Sequence, residues 1–360
     1  METPDDLERE YTQLQEGYPP APIDTTRQAQ TLHDILTSDT EAAAFLESAA
    51  AYPDILSLLK GTESGEHTVF VPINAAWETA SADKETVAAH FSPHFVSDEG
   101  LRHMPNVPTL CTPASSNGPL VICTKLTPSG WDLNHGAAAI VHRNVRASNG
   151  IIHYLDHALL PPPSTAKTLS SNPEFSYLQK AVTLTGADIL GKAPGGTLFA
   201  PTDSSFTALG SETLAFLFTS DDGLPYLRAL VQMHYCPEIT FLSNLVWPKN
   251  NTGGRQTSAE EARQIKGKLS QEVASALVDK QNGDSEKMRI SVAISRFNGL
   301  IRMAAAGGEA MVLEQDIVAN DGVIHGIQGV LTPDPGVCLP LSDGTDTLEA
   351  LKRLYGPYIS

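Results

Sequence analysis

The chain has 360 residues, 41% of them apolar and 18% charged, a balance that supports two domains of ordinary size and excludes a wholly disordered protein. Lys and Arg total 24 against 42 Asp and Glu, a net charge of −18. A surface this acidic repels nucleic-acid phosphates and anionic lipid headgroups, and no run approaches the ~20 apolar residues that span a bilayer.

Residues 1–27 read as an N-terminal arm: a short amphipathic segment (Leu7, Tyr11, Leu14) and then a proline-rich stretch. The first thirty residues carry acids where a secretory leader carries basic residues, and no apolar core follows. The expectation is a secreted protein if a leader has been removed, and an intracellular one otherwise.

Further along, the sequence repeats itself. Thr68-Val-Phe-Val-Pro-Ile-Asn-Ala-Ala-Trp77 recurs as Thr197-Leu-Phe-Ala-Pro-Thr-Asp-Ser-Ser-Phe206, and Asn149-Gly-Ile-Ile-His-Tyr-Leu-Asp-His-Ala-Leu-Leu-Pro161 as Asp321-Gly-Val-Ile-His-Gly-Ile-Gln-Gly-Val-Leu-Thr-Pro333. Two motifs repeated in one order imply a duplicated domain. The expected division is 28–163, then 164–335 with an insertion at about 248–288, then a tail over 336–360. Within the insertion Ile265, Leu269, Val273 and Leu277 have helical spacing and predict one amphipathic helix. In the tail Leu348, Leu351 and Leu354 predict a helix over Thr347–Tyr355.

Each motif has a local reading. The Thr-Val-Phe-Val and Thr-Leu-Phe-Ala runs are β-favouring and end at Pro72 and Pro201. Asn74 and Asp203 come next and read as N-caps of the helices that follow. Asn149-Gly150 and Asp321-Gly322 read as tight turns using positive φ, ahead of strands. Helices are expected before the first motif of each copy, at about 31–60 and 173–190. Helices followed by several strands predict an α+β domain.

Both repeats resemble fasciclin-type (FAS1) domains, whose hallmarks are the Thr-Val-Phe-Ala-Pro-Thr-Asn/Asp segment and the later Asn-Gly-Val-Ile-His segment quoted above. The resemblance implies two α+β domains, each a small β-sandwich wedged against a helical layer. It places the family's Tyr-His position at Pro93-His94 and Met233-His234, both without the tyrosine. Glu314-Gln-Asp-Ile-Val318 is similar to the family's Glu-Pro-Asp-Ile-Met adhesion segment, departs from it at Gln315 and Val318, and reads as a structural strand.

His153 and His325, on strands flanked by isoleucine, read as buried structural groups, expected to pair with Asn74 and Asp203 respectively. His90 and His94 have i, i+4 spacing, but Pro93 interrupts it and no metal is expected. His94 and His234 are expected in the domain cores. Cys111, Cys123, Cys236 and Cys338 read either as free thiols or as one or two disulfides, and Asn250 opens an N-x-T glycosylation triplet. Trp131, His135, His142 and Trp247 read either as local packing or as the lining of a pocket. No nucleophile elbow, dinucleotide fingerprint, phosphate loop or zinc-protease pattern occurs, so no cofactor is expected and the balance leans against an enzyme without excluding one.

Two functions follow. The resemblance implies a non-catalytic binding and adhesion module contacting proteins or glycans at a cell surface or matrix. Its similarity to fungal tandem members implies the alternative, a small-molecule-binding auxiliary, with or without catalysis of its own, acting with an oxidative enzyme such as a multicopper oxidase in aromatic polyketide biosynthesis.

Overall fold

The computed structural model describes residues 17–78, 80–102, 104–114, 116, 118–186, 195–242, 267–279, 286–297, 300–305, 310–334, 337–341 and 346–359. Asn250, Trp247 and Ile265 lie outside them. The chain forms two compact units, the first built on residues up to Pro162 and the second on residues from Pro163.

Unit 1 opens with helices Leu32–Thr37, Ala43–Ala50 and Pro53–Leu59. Thr31 starts the first with a capping box, its hydroxyl accepting from Asp34 N–H while the Asp34 carboxylate accepts from Thr31 N–H. Pro53 begins the third, where its missing N–H costs nothing. The strands follow: β1 (His67–Pro72), β2 (Phe91–Ser92), β3 (Asn106–Pro108), β4 (Val121–Thr127), β5 (Gly130–Leu133), β6 (Ala138–Ala147) and β7 (Gly150–Leu155), in the sheet order β2-β1-β7-β6-β5-β4-β3. The early and late motifs are neighbours in this sheet. They form the parallel pair β1–β7, with Phe70 opposite His153.

Every residue of β1 and β7 is buried, because the pair is covered on both faces. Val69, Val71, Ile152 and Tyr154 pack under the helices with Phe45, Leu59 and Trp77. On the other face Phe70 and Leu155 meet Val107, Ile122, Trp131 and Leu133 from the outer strands. The alternating side chains of one strand pair therefore serve a helix-facing core and a strand-lined core.

Unit 2 repeats this plan. Helices Thr165–Ser171, Ser176–Thr185 and Leu224–Met233 accompany β8 (Gly196–Pro201), β9 (Tyr235–Cys236), β10 (Gly267–Asp279), β11 (Glu286–Phe297), β12 (Leu300–Ala305), β13 (Ala310–Ala319) and β14 (Gly322–Gln328). The order is β10-β11-β12-β13-β14-β8-β9, with β8 and β14 parallel and Phe199 opposite His325. The tail does form the helix Thr347–Tyr355, and its Leu351 and Tyr355 are part of this unit's core.

Two expectations are corrected. Val273 and Leu277 lie on strand β10, not on a helix, paired antiparallel with β11. Residues four apart share a face in both structures, and buried Ser275 between them reveals a period of two. Asn149 and Asp321 do not adopt positive φ. Their side chains staple the hairpin instead: Asn149 Oδ1 accepts from Leu32 N–H (2.8 Å) and its amide donates to the Leu58 and Leu59 carbonyls (2.9 and 3.1 Å). Asp321 Oδ1 accepts from the backbone and hydroxyl of Thr165, both at 2.7 Å. Glycine follows each for closeness, since a Cβ on Gly150 would lie 2.2 Å from the His67 carbonyl oxygen.

Asn149→Ala removes three buried hydrogen bonds and leaves their backbone partners unsatisfied, an expected loss of about 3 kcal/mol at ~1 kcal/mol each. Urea unfolding of the full chain checks this; a loss below about 1 kcal/mol would deny the staple its role.

Candidate functional site

The late histidines sit alike in both units. His153 Nε2 donates to the Val96 carbonyl (2.9 Å), and its Nδ1 accepts from Asn144 N–H (3.4 Å). His325 Nε2 donates to the Thr240 carbonyl (3.0 Å), and its Nδ1 accepts from Asp316 N–H (2.9 Å). A backbone N–H can only donate and a carbonyl can only accept, so each imidazole is neutral with its proton on Nε2. Asn144 and Asp316 mark irregularities in β6 and β13, at φ +66° and +57°, a region that Asn and Asp tolerate best after glycine. Their side chains extend the clamp, Asn144 Oδ1 accepting from Asp98 N–H (2.7 Å) and Asp316 Oδ1 from Leu242 N–H (2.8 Å).

The expected His153–Asn74 and His325–Asp203 pairs are not made. Each histidine shares the sheet face of Phe70 or Phe199, whereas Asn74 and Asp203 reach the helical layer. Nor do those two residues cap their own helices. Asn74 Oδ1 accepts from Ala44 N–H (3.0 Å) and its amide donates to the Thr40 carbonyl (2.6 Å). Asp203 accepts from Tyr177 N–H (2.9 Å) and from the Ser176 hydroxyl. Both thus cap the first turn of a neighbouring helix whose own N-cap position, Ala42 or Phe175, supplies no side-chain acceptor.

His90, not His94, is the counterpart of His234. His90 Nδ1 donates to the Thr86 carbonyl (2.8 Å) and Nε2 accepts from Leu159 N–H (2.8 Å). His234 does the same with Leu230 (2.8 Å) and Leu331 (3.0 Å). The shared signal is His-aromatic-x-Pro, in His90-Phe-Ser-Pro93 and His234-Tyr-Cys-Pro237. His94 is half-buried, its carbonyl accepting from the Thr68 hydroxyl at 2.7 Å, a place that Glu238 takes in unit 2. Burial pushes His90, His153 and His234 down to about 4. Burial also lowers His325, against the pull of the Asp316 carboxylate.

The remaining candidates disperse. No disulfide joins any two of the four cysteines. Cys123 lies opposite Asn106 on the β3–β4 hairpin, while Cys111 lies beyond β3 with its carbonyl accepting from Leu120 N–H, three residues or about 10 Å of chain from Cys123, too far for a disulfide. Burial pushes the Cys111 thiol up to about 11. Trp131 is buried, whereas His135 and His142 are exposed, the latter stacked on Tyr154 at 5.5 Å. Among the described residues no group of three or more His, Cys, Asp or Glu side chains could hold a metal ion.

One cluster escaped sequence reading. Asp98 is fully buried and its carboxylate accepts from Trp131 Nε1 (2.6 Å), Arg143 Nη1 (2.8 Å) and Ala21 N–H (3.0 Å). Over it runs the arm. Arg102 Nη2 donates to the Tyr18 carbonyl (2.7 Å), Arg143 Nη2 to the Pro19 carbonyl (3.0 Å) and Asn144 Nδ2 to the Ala21 carbonyl (2.7 Å). The Arg143 guanidinium lies 3.8 Å from the centre of the Tyr18 ring. Beyond, Asp24 pairs with the β6 edge through Asn144 and Arg146.

Paired motif strands, a helical layer and buried histidine clamps, present twice, define a tandem of one α+β module. The fasciclin domain model matches residues 40–161 and 173–333, and the chain belongs to the fasciclin domain family. It is 25% identical over 369 residues to the aurofusarin biosynthesis cluster protein S of Gibberella zeae, covering 91% of this chain and 86% of that protein. Human periostin is 26% identical over 79% of this chain, and rabbit (Oryctolagus cuniculus) transforming growth factor-beta-induced protein ig-h3 is 22% identical over 80%. The matches span 30% and 38% of those two proteins. Among solved structures, a FAS1 domain pair from the insect cell adhesion molecule fasciclin I matches 82% of this chain and 99% of its own, at 17% identity and a TM-score of 0.39.

The clamps set a pH dependence. Unfolded histidine binds its proton below about 6.5 and the folded groups only near 4, so their stabilisation is complete above pH 6.5 and is lost as pH falls towards 4. Each group is worth about 1.4 kcal/mol per pH unit in that window. Melting temperatures from pH 7.5 to 4.5 are expected to drop steeply below 6.5, and His90→Gln to flatten the slope by one proton. A flat profile down to pH 5 would contradict neutral, locked imidazoles.

Proposed function

We propose that this protein is a non-catalytic binding module of the fasciclin adhesion type, secreted and contacting a protein or glycan partner. One observation carries the reading: the motif histidines, the best acid–base candidates in the chain, are spent on the scaffold. A general base needs a reachable nitrogen that exchanges protons near working pH. Here both nitrogens of each ring hold backbone groups, and burial keeps three of the four rings neutral down to about 4. Two further observations agree with a module outside the membrane: the acidic surface, and the lack of any helix among the described residues long and apolar enough to cross a bilayer.

A second reading has its own support. The match to the aurofusarin cluster protein runs nearly the full length of both chains, whereas periostin is matched over 30% of its length. It makes the protein an auxiliary in fungal aromatic biosynthesis, holding a small molecule for a partner oxidase. Deletion of the coding gene separates the two, with cell attachment and extracted aromatic products as readouts. Severalfold weaker attachment with unchanged products is the expected result. Stalled products with normal attachment would transfer the function to the second reading, and turnover of the accumulated compound by the purified chain alone would overturn the non-catalytic claim.

A further inference from the structure

We infer that the face of unit 1 formed by Asp98, Arg102, Arg143 and Asn144 is a recognition site for an extended tyrosine–proline peptide of a partner protein, held shut in cis by the chain's own residues 18–24. The inference rests on the binding-module reading and adds the chemistry of what is bound.

The contacts are those of a peptide groove. Between Tyr18 and Ala21 the arm makes four backbone hydrogen bonds to side chains: the carbonyls of Tyr18, Pro19 and Ala21 are taken by two guanidinium groups and one amide, and Ala21 N–H by the Asp98 carboxylate. A proline-rich segment suits this mode, because its extended backbone leaves the carbonyls unpaired and its ordering is largely built in. A ring slot adds selectivity. Arg143 stacks on the Tyr18 ring at 3.8 Å, and Gly130, at φ +123°, yields the space beneath, since a Cβ there would lie 3.1 Å from the ring.

Two observations separate this from ordinary packing. First, the fold does not require these groups. Unit 2 keeps the histidine, the strand irregularity and its cap, with Asp316 for Asn144, yet has Leu242 where unit 1 has Asp98 and Gln315 where it has Arg143. Second, the arm leaves the site incompletely filled. The Arg102 side chain is 5% exposed, and among the described residues its Nε and Nη1 make no hydrogen bond; Nε faces the Glu99 carboxylate at 3.8 Å. Buried guanidinium donors without acceptors carry a cost that a ligand with one more oxygen removes. The arm lies at the surface, with Pro19, Pro20, Pro22 and Ile23 exposed and only the Tyr18 ring packed against the strand-lined core.

A tethered segment competes at an effective concentration of roughly millimolar, so the closed protein binds such peptides weakly. Tyr18→Gly with Ala21→Pro removes the ring and the N–H that hold the arm and leaves the groove intact. Fluorescence anisotropy with labelled Gly-Tyr-Pro-Pro-Ala-Pro-Ile-Asp is expected to show at least tenfold tighter binding to this full-length variant than to the parent. Adding Arg143→Met, with folding checked by circular dichroism, should abolish the gain. Should either variant fail to fold, hydrogen exchange on the parent gives the answer: millimolar peptide should accelerate exchange at the Ala21 and Asp24 amides. Equal affinity with and without the arm, binding that survives Arg143→Met, unchanged exchange, or binding of p-cresol without the peptide would overturn the inference. Such a failure leaves the binding-module reading standing, which the gene-deletion readouts decide separately.

Discussion

The fold turns on a neutral imidazole gripping one backbone carbonyl and one backbone N–H from two different segments. At His153 and His325 the ring joins a bulged strand to the loop crossing it; at His90 and His234 it joins a helix end to the segment leaving the sheet. Each ring donates once and accepts once, so no polar atom of the clamp is left unpaired. A buried carbonyl or N–H without a partner costs as much as several good contacts return. The clamps therefore let irregular chain segments lie inside the unit, and at the strand irregularities of Asn144 and Asp316 the ring takes up the backbone N–H.

What the two copies share is scaffold, and what they do not share is where function is to be sought. The clamps recur in both contacts and the staples and caps in their acceptor contacts, while the amide donations of Asn149 and Asn74 have no counterpart at Asp321 and Asp203. The Asp98–Arg102–Arg143 cluster does not recur, and it is the cluster onto which the arm folds. Duplication has left one unit free to keep the architecture while the other carries charged, chain-reading groups beneath a removable cover.

The repeats, their order and the α+β class were legible because they rest on contiguous residues: a β-favouring run closed by proline, an Asn-Gly or Asp-Gly step, a histidine between aliphatic neighbours. Relations across the chain were not. Asn74 and Asp203 stand next to a helix start and have the side chains of an N-cap, yet they are the first helical residues, and only the folded structure shows them reaching a helix some thirty residues earlier. His94 drew attention by its spacing from His90, although the repeated His-aromatic-x-Pro segment singles out His90. Val273 and Leu277 satisfy helix and strand alike, and only Ser275 between them distinguishes the two. The arm's docking was illegible because it depends on Asp98, Arg102 and Arg143, three ordinary charged residues when read singly.

The parallel pair β1–β7 has one more consequence. It is a wall shared by two separate interiors, one beneath the helices and one among the outer strands. Neither side can loosen alone without stripping that wall of half its cover, so the halves of unit 1 stand or fall together. The chain's slowest-exchanging amides belong in such a partition, and a lesion such as truncating Phe70 should propagate to the helices it never touches.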